Sequence, residues 1–235
     1  MSSIAIVGCT GLVGSQFLRL SLDAPAFAKI TAVSRVPVAG PSGGKTASGT
    51  EFVNAVAGND TAATFPAALP GKFDVLFSAL ATTRAAAGSF DKQYTLEHDL
   101  NLELARKAAE ECGCKTYVLV SAQGADAGSR FAYPRMKGEL EENVATLPFE
   151  KIIILQPGLL LGERDENRTL ERWSQNIANG MVRVGLRSLA DKFSVRAADV
   201  AKAGLQALKA PGPDRIVRLQ NTDLIRLAAE YDAGK

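Results

Sequence analysis

Three groups of residues in this 235-residue chain have types and spacings suited to chemistry. The first is the N-terminal run IAIVGCTGLVGS, in which Gly8, Gly11 and Gly14 stand three apart between a short apolar run and an amphipathic stretch. Glycine there permits a tight turn, lets backbone approach a pyrophosphate, and leaves the N–H groups and dipole of a helix N-terminus open to an anion. Gly8, Thr10, Gly11, Leu12, Val13 and Gly14 form the expected cradle. The second group is Ser34 and Arg35 in AVSRVP, about 20 residues past Gly14, where a nicotinamide dinucleotide presents its adenine ribose. An acidic residue would take the ribose 2′-hydroxyl; a guanidinium instead suits a 2′-phosphate through charge-assisted hydrogen bonds. NADP(H) is the expected cofactor. Asp60, in AGND, either contacts the adenine or caps the next helix.

The third group is Ser121 in LVSAQGAD with Tyr133 and Lys137 in FAYPRMKGELEE. Tyr133 and Lys137 are four apart, so on a helix they share a face. An ammonium beside a phenol lowers the phenol's pKa from its usual ~10 and suits it to proton transfer near neutrality. Ser121, ending a strand, is placed to hydrogen-bond a substrate oxygen. Pro134 suits a first helical turn but biases Tyr133 away from helical geometry.

Positioning these groups requires a sheet with helices on it. Apolar runs at 4–7, 30–33, 75–77, 117–120 and 152–155 are short and continuous, as strands covered on both faces must be. Stretches 12–22, 96–111 and 136–147 carry apolar residues three and four apart and read as helices. Strand and helix in alternation predict an α/β, Rossmann-like, doubly wound parallel sheet, which binds ligands beyond the carboxyl ends of its strands. Residues 37–50 (PVAGPSGGKTASGT) read as a mobile loop. Their GGKT lacks both the spacing and the preceding strand of a nucleoside-triphosphate loop. Further helices are expected at 170–179, with Trp173, and at 197–208, then a strand at 216–219 and a helix at 224–231. One domain over 1–235 is expected, with a small C-terminal substrate lobe from about 157–196 and 210–235.

Composition excludes several classes of function. Lysine plus arginine number 27 against 25 acidic residues, so a net charge of +2 supplies no broad basic face for nucleic acid. Cys9, Cys112 and Cys114 read as reduced thiols, and His98 as the single histidine leaves almost no soft-metal chemistry to build. His98, beside Glu97 and Asp99, reads as a solvated surface residue.

The spaced glycines, VSAQGAD and YPRMK resemble the short-chain dehydrogenase/reductase superfamily, in its atypical form with G-x-x-G-x-x-G. FSALATTRAAAG, HDLNLELARKAAEECGCK, YPRMKGELE, PGLLLGERDENR and LQNTDLI are similar, over nearly the whole chain, to two related groups. These are the fungal "found in mitochondrial proteome" proteins of the mitochondrial outer membrane and the animal Tat-interactive oxidoreductases. The resemblance implies Ser121, Tyr133 and Lys137 as the catalytic set, with Tyr133 as general acid and Lys137 also holding the nicotinamide ribose. It implies Ser78, Ala79, Leu80 and Pro157 at the cofactor, and Thr82, Thr83 and Arg84 at the pocket mouth. The superfamily's helical Asn has no clean match; His98 and Asn101 both lie nearby. Gln156 stands where the family commonly has Arg, and Ala122 where a second Ser is frequent.

The function so implied is reduction of a small carbonyl substrate by NADPH. The alternatives are an NADPH-binding regulatory protein with a protein partner and little chemistry, or a redox-neutral epimerase or isomerase. The fungal group implies a peripheral location on the cytosolic side of the mitochondrial outer membrane, with the cytoplasm as the alternative. Substrate identity and oligomeric state have no signal in the sequence.

Overall fold

A computed structural model describes residues 2–24, 26–58, 61–161, 194–209 and 212–234. Its centre is a sheet of seven parallel strands: β1 (Ser2–Val7), β2 (Phe27–Ser34), β3 (Glu51–Val56), β4 (Val75–Ser78), β5 (Thr116–Val120), β6 (Lys151–Gln156) and β9 (Ile216–Gln220). They lie in the order β3-β2-β1-β4-β5-β6-β9. The Rossmann-like α/β expectation is met. The chain starts mid-sheet, works outward to β3, then returns to the other side of β1 at β4. That reversal opens a crevice above β1 and β4, where sheets of this kind take ligands.

Alternation along the strands explains the layers. Ile4 and Ile6 face one side, with α1 (Leu12–Asp23), α7 (Ala197–Lys209) and α8 (Asn221–Ala233) packed on them through Phe17, Val200, Leu224 and Tyr231. Ala5 and Val7 face the other, covered by α2 (Thr61–Ala68), α5 (Leu100–Glu110) and α6 (Ala132–Ala145) through Phe65, Leu104 and Leu140. Each fully buried aliphatic side chain contributes about 1.5–3 kcal/mol against exposure, so both faces hold the sheet.

The structure amends the expectations at several places. Residues 37–50 lead into an edge strand, β3, that no apolar run announced, because Glu51 and Asn54 interrupt EFVNAV and only Phe52 in it is buried. The loop before it is stitched down: the Asn54 side chain accepts from the Val38 N–H and donates to the Val38 carbonyl. Within the 210–235 segment, β9 is the seventh strand of the main sheet, and α8 packs with α7 beneath α1. The helix expected at 96–111 is present but begins earlier and carries a π-bulge: α4 (Phe90–Tyr94) runs through the π-turn at Thr95–Asp99 into α5 with helical backbone throughout. His98, within that turn, is buried. Between β4 and the turn lie two short helices, α3 (Arg84–Ala87) and α4 (Phe90–Tyr94). A separate pair, β7 (Leu159–Leu161) and β8 (Ser194–Arg196), follows β6. The expected helix at 170–179, Trp173, Asp60 and most of the 157–196 lobe lie outside the described residues.

Candidate active site

The glycine turn leaves β1 at the crevice. Gly8 has φ +83°, a left-handed conformation that disfavours side chains, and a Cβ there would lie 2.6 Å from the Ala79 carbonyl carbon. A Cβ on Gly14 would collide with the Gly8 carbonyl oxygen. Gly8 and Gly14 therefore let β1, β4 and α1 close on one another. Gly11 is the N-cap of α1 and supplies no side-chain acceptor, so the first-turn N–H groups stay available to an anion. These features fit a pyrophosphate. Val13 and Gly14 are buried beneath the turn, while Leu12 is partly exposed beside it.

Gly8, Thr10 and Gly11 line a groove of about 270 Å³ with Ser34, Arg35, Ala79, Leu80 and Thr82. Arg35 is exposed, whereas the Ser34 hydroxyl donates to the Val36 carbonyl at 2.6 Å. Ser78 is buried below the groove and donates to Asn101, whose amide in turn donates to the Leu80 carbonyl at 3.1 Å and the Glu97 carbonyl at 2.9 Å. Asn101 thus fixes the loop after β4. Pro157 is buried at the end of β6, its carbonyl accepting from the Gln123 N–H.

A second cavity, of about 410 Å³, adjoins the first: Thr82 lines both, and Thr83, Arg84, Phe90, Gln93, Ala132 and Tyr133 complete it. Tyr133 is helical despite Pro134, whose missing N–H falls in the first turn of α6, where no intrahelical acceptor exists. The Lys137 ammonium sits 5.8 Å from the Tyr133 ring centroid. Gly138, next along, lets the loop after β5 rest on α6, since a Cβ there would strike Asp126 and Ala127.

Electrostatics around Tyr133 depart from expectation. Lys137 is 1% exposed and meets Glu97, 0% exposed, with Nζ to Oε2 at 2.7 Å. That contact is a close ion pair rather than an aligned hydrogen bond, for Oε2 has no hydrogen-bond partner of good geometry. The other carboxylate oxygen accepts from the Gln93 amide at 2.9 Å and the Thr82 N–H at 3.1 Å. The Tyr133 pKa is raised, not lowered: burial comes first, Lys137 works against it, and Glu97 adds to it. Tyr133 is 41% exposed and lines the cavity, and the ammonium that opposes the rise is itself paired with Glu97.

Ser121 does not face this cavity. Its hydroxyl donates to Glu141 Oε1 at 2.6 Å, one helical turn beyond Lys137. Gln156 Nε2 also donates to Glu141, at 2.9 and 3.0 Å, and Arg218 Nε on β9 reaches Oε2 at 3.1 Å. The positive partner of buried Glu141 therefore comes from β9 while Gln156 bridges. A hydroxyl has one proton, and that of Ser121 is already given to a carboxylate.

Glu97, Gln93, Glu141 and Arg218 were missed from sequence. Two signals were available: Gln93 and Glu97 are polar residues four apart, and Tyr133, Lys137 and Glu141 form a ladder four and four along one helix face. As for the missing Asn, neither candidate pairs with Lys137. His98 stacks on Tyr94 at 4.6 Å and bonds Asp99 and Asn143, and Asn101 is spent on the β4 loop.

The fold is that of the short-chain dehydrogenase/reductases. A short-chain dehydrogenase/reductase of Saccharomyces cerevisiae superposes with a TM-score of 0.67 at 15% identity, covering 98% of this chain and 99% of that one. One from Agrobacterium tumefaciens, solved with bound NAD, gives 0.66 at 15% identity, covering 93% and 76%. No protein-family model matches the sequence. The relatives are closer in sequence: a mitochondrial fmp52 protein of Aspergillus clavatus is 40% identical over 98% of this chain and 100% of its own. FMP52 of Saccharomyces cerevisiae, also named mitochondrial, is 40% identical over 97% and 96%. The chain belongs to this FMP52 family.

Proposed function

We propose that the chain is an NADPH-dependent oxidoreductase acting on a small carbonyl or alcohol substrate. The observation that carries this reading is that the two cavities meet at Thr82. A ligand lying along the glycine turn with its phosphates on α1 is thereby led to Tyr133. Arg35, exposed at the adenine-ribose end, favours a 2′-phosphate and hence NADP(H) over NAD(H). NADPH supplies the hydride when bound. Tyr133 gives its phenolic proton to the substrate oxygen as that oxygen takes up charge. Lys137 orients the phenol and the nicotinamide ribose, while Ser121 acts one layer below by holding Glu141. The pocket-mouth residues Thr82, Thr83 and Arg84 contact the substrate.

The test is NADPH consumption across a panel of aldehydes and ketones. A substrate turned over by the native chain is expected to lose at least about 100-fold in kcat with Tyr133→Phe, while NADPH binding is kept. Undiminished turnover in that variant removes the proposed acid. A second reading, regulation by NADPH occupancy with a protein partner and little chemistry, is favoured by the commitment of the Ser121 proton to Glu141. Tight NADPH binding with no consumption over the whole panel supports it. Epimerisation on the same scaffold, the activity that names several structural neighbours such as a UDP-galactose 4-epimerase, would convert substrate with no net NADPH loss.

For location we propose the cytosolic face of the mitochondrial outer membrane. The relatives' mitochondrial names support the organelle. Among the described residues no helix is long and apolar enough to cross a membrane, which is compatible with a peripheral mode. Release from isolated mitochondria by alkaline carbonate, with accessibility to added protease before rupture, is the expected result.

A further inference from the structure

The Glu97–Lys137 pair is buried almost completely, and its construction is costly. Taking two charges out of water is offset only where geometry and extra hydrogen bonds compensate. Here the compensation is specific. The π-turn at Thr95–Asp99 places Glu97 opposite α6, and the Thr82 N–H and Gln93 amide hold the carboxylate oxygen that Lys137 does not take. Thr82 and Gln93 also line the Tyr133 cavity, so the acid and the carboxylate's anchors share one cavity, while the Lys137 ammonium is buried.

We propose that Glu97 is a positioning residue of this centre: it fixes the Lys137 ammonium beside the Tyr133 ring and cancels its charge, so that Tyr133 keeps its proton until a substrate oxygen takes it. This rests on the reading of Tyr133 as the acid. The other charged groups nearby are paired elsewhere or open to solvent. Glu139 accepts from Tyr94 at 3.0 Å and lies 3.8 Å from Arg135. Glu141 is held by Ser121, Gln156 and Arg218. Arg84 is exposed at the cavity mouth and Asp126 is exposed on the loop over α6. Glu97 is the carboxylate that meets Lys137.

The experiment is a spectroscopic pH titration of tyrosinate absorbance on the whole chain, with the Tyr133→Phe curve subtracted to isolate Tyr133. In Glu97→Gln the cation is no longer balanced, and the Tyr133 step moves down by about one pH unit or more. Glu97→Asp stays near the native curve. The neutral pair Glu97→Gln/Lys137→Met returns the step to its native position, and it serves if the single variant fails to fold. Superimposable curves for native and Glu97→Gln, or a neutral pair displaced well above the native curve, overturn the proposal. NADPH calorimetry on the same samples separates the two claims. Absent NADPH heat removes the oxidoreductase reading and leaves the titration standing, whereas intact NADPH binding with unmoved titrations removes the role of Glu97 alone.

Discussion

At the phosphate end of the groove the working groups are backbone N–H groups, left accessible by Gly8, Gly11 and Gly14 within seven residues of chain. At the proton end they are side chains, and each is held by a partner far away in sequence: Lys137 by Glu97, Glu141 by Ser121 and by Arg218. One end is made by removing side chains so that strands and helix can close. The other is made by burying charges in compensating pairs. Substitutions should therefore fail differently at the two ends, by steric exclusion at the first and by unpaired charge at the second.

The largest effect is expected at Gly14. A methyl group there meets the Gly8 carbonyl, so Gly14→Ala should displace α1 from β1 and abolish measurable NADPH binding by calorimetry, with a lowered Tm. Native NADPH affinity in this variant would break the steric account. Next comes the buried pair. Lys137→Met leaves Glu97 uncompensated at 0% exposure and should cost about 3–5 kcal/mol in urea unfolding. Adding Glu97→Gln should recover most of that loss, because a neutral pair carries no desolvated charge. A double variant no more stable than the single one would show that the pair is not coupled.

Smaller effects sharpen the contrast. Arg35→Asp should weaken NADPH by roughly 10- to 100-fold while changing NADH little, the range expected of a charge-assisted hydrogen bond. Equal losses for both nucleotides would remove Arg35 from cofactor choice. The smallest change is expected outside both ends, at Asp74. Its carboxylate accepts from the Ser3 N–H and hydroxyl at 2.7 and 2.8 Å, and these bonds lower its pKa. A lowered folded-state pKa gives stability that is present above the unfolded value near ~4 and is lost as pH falls further. Asp74→Asn should flatten that acid decline in Tm and leave NADPH binding unchanged; an unaltered acid limb would show that the bonds to Ser3 carry no stability.

What could be read from sequence follows the same division. The cradle, the parallel sheet and the helix bearing Tyr133 and Lys137 are local, encoded in glycine spacing, continuous apolar runs and a four-residue interval. β3 escaped because an edge strand interrupted by Asn54, with Phe52 alone buried, carries no continuous apolar run. The Glu97 and Glu141 partnerships escaped because they depend on which helices the sheet brings together, and a carboxylate bound for a buried pair looks like any surface carboxylate in a string of letters. The π-turn, which carries the Glu97 that meets Lys137, had no composition signal. Ser121 shows the limit of position alone. Its place at the strand end is as expected, yet its proton serves Glu141.

The account stands or falls most directly on isothermal calorimetry of the intact chain with NADPH and with NADH. It predicts saturable heat from NADPH at one site per chain, and binding of NADH at least about tenfold weaker through loss of the contact to Arg35. No heat from either nucleotide would contradict it.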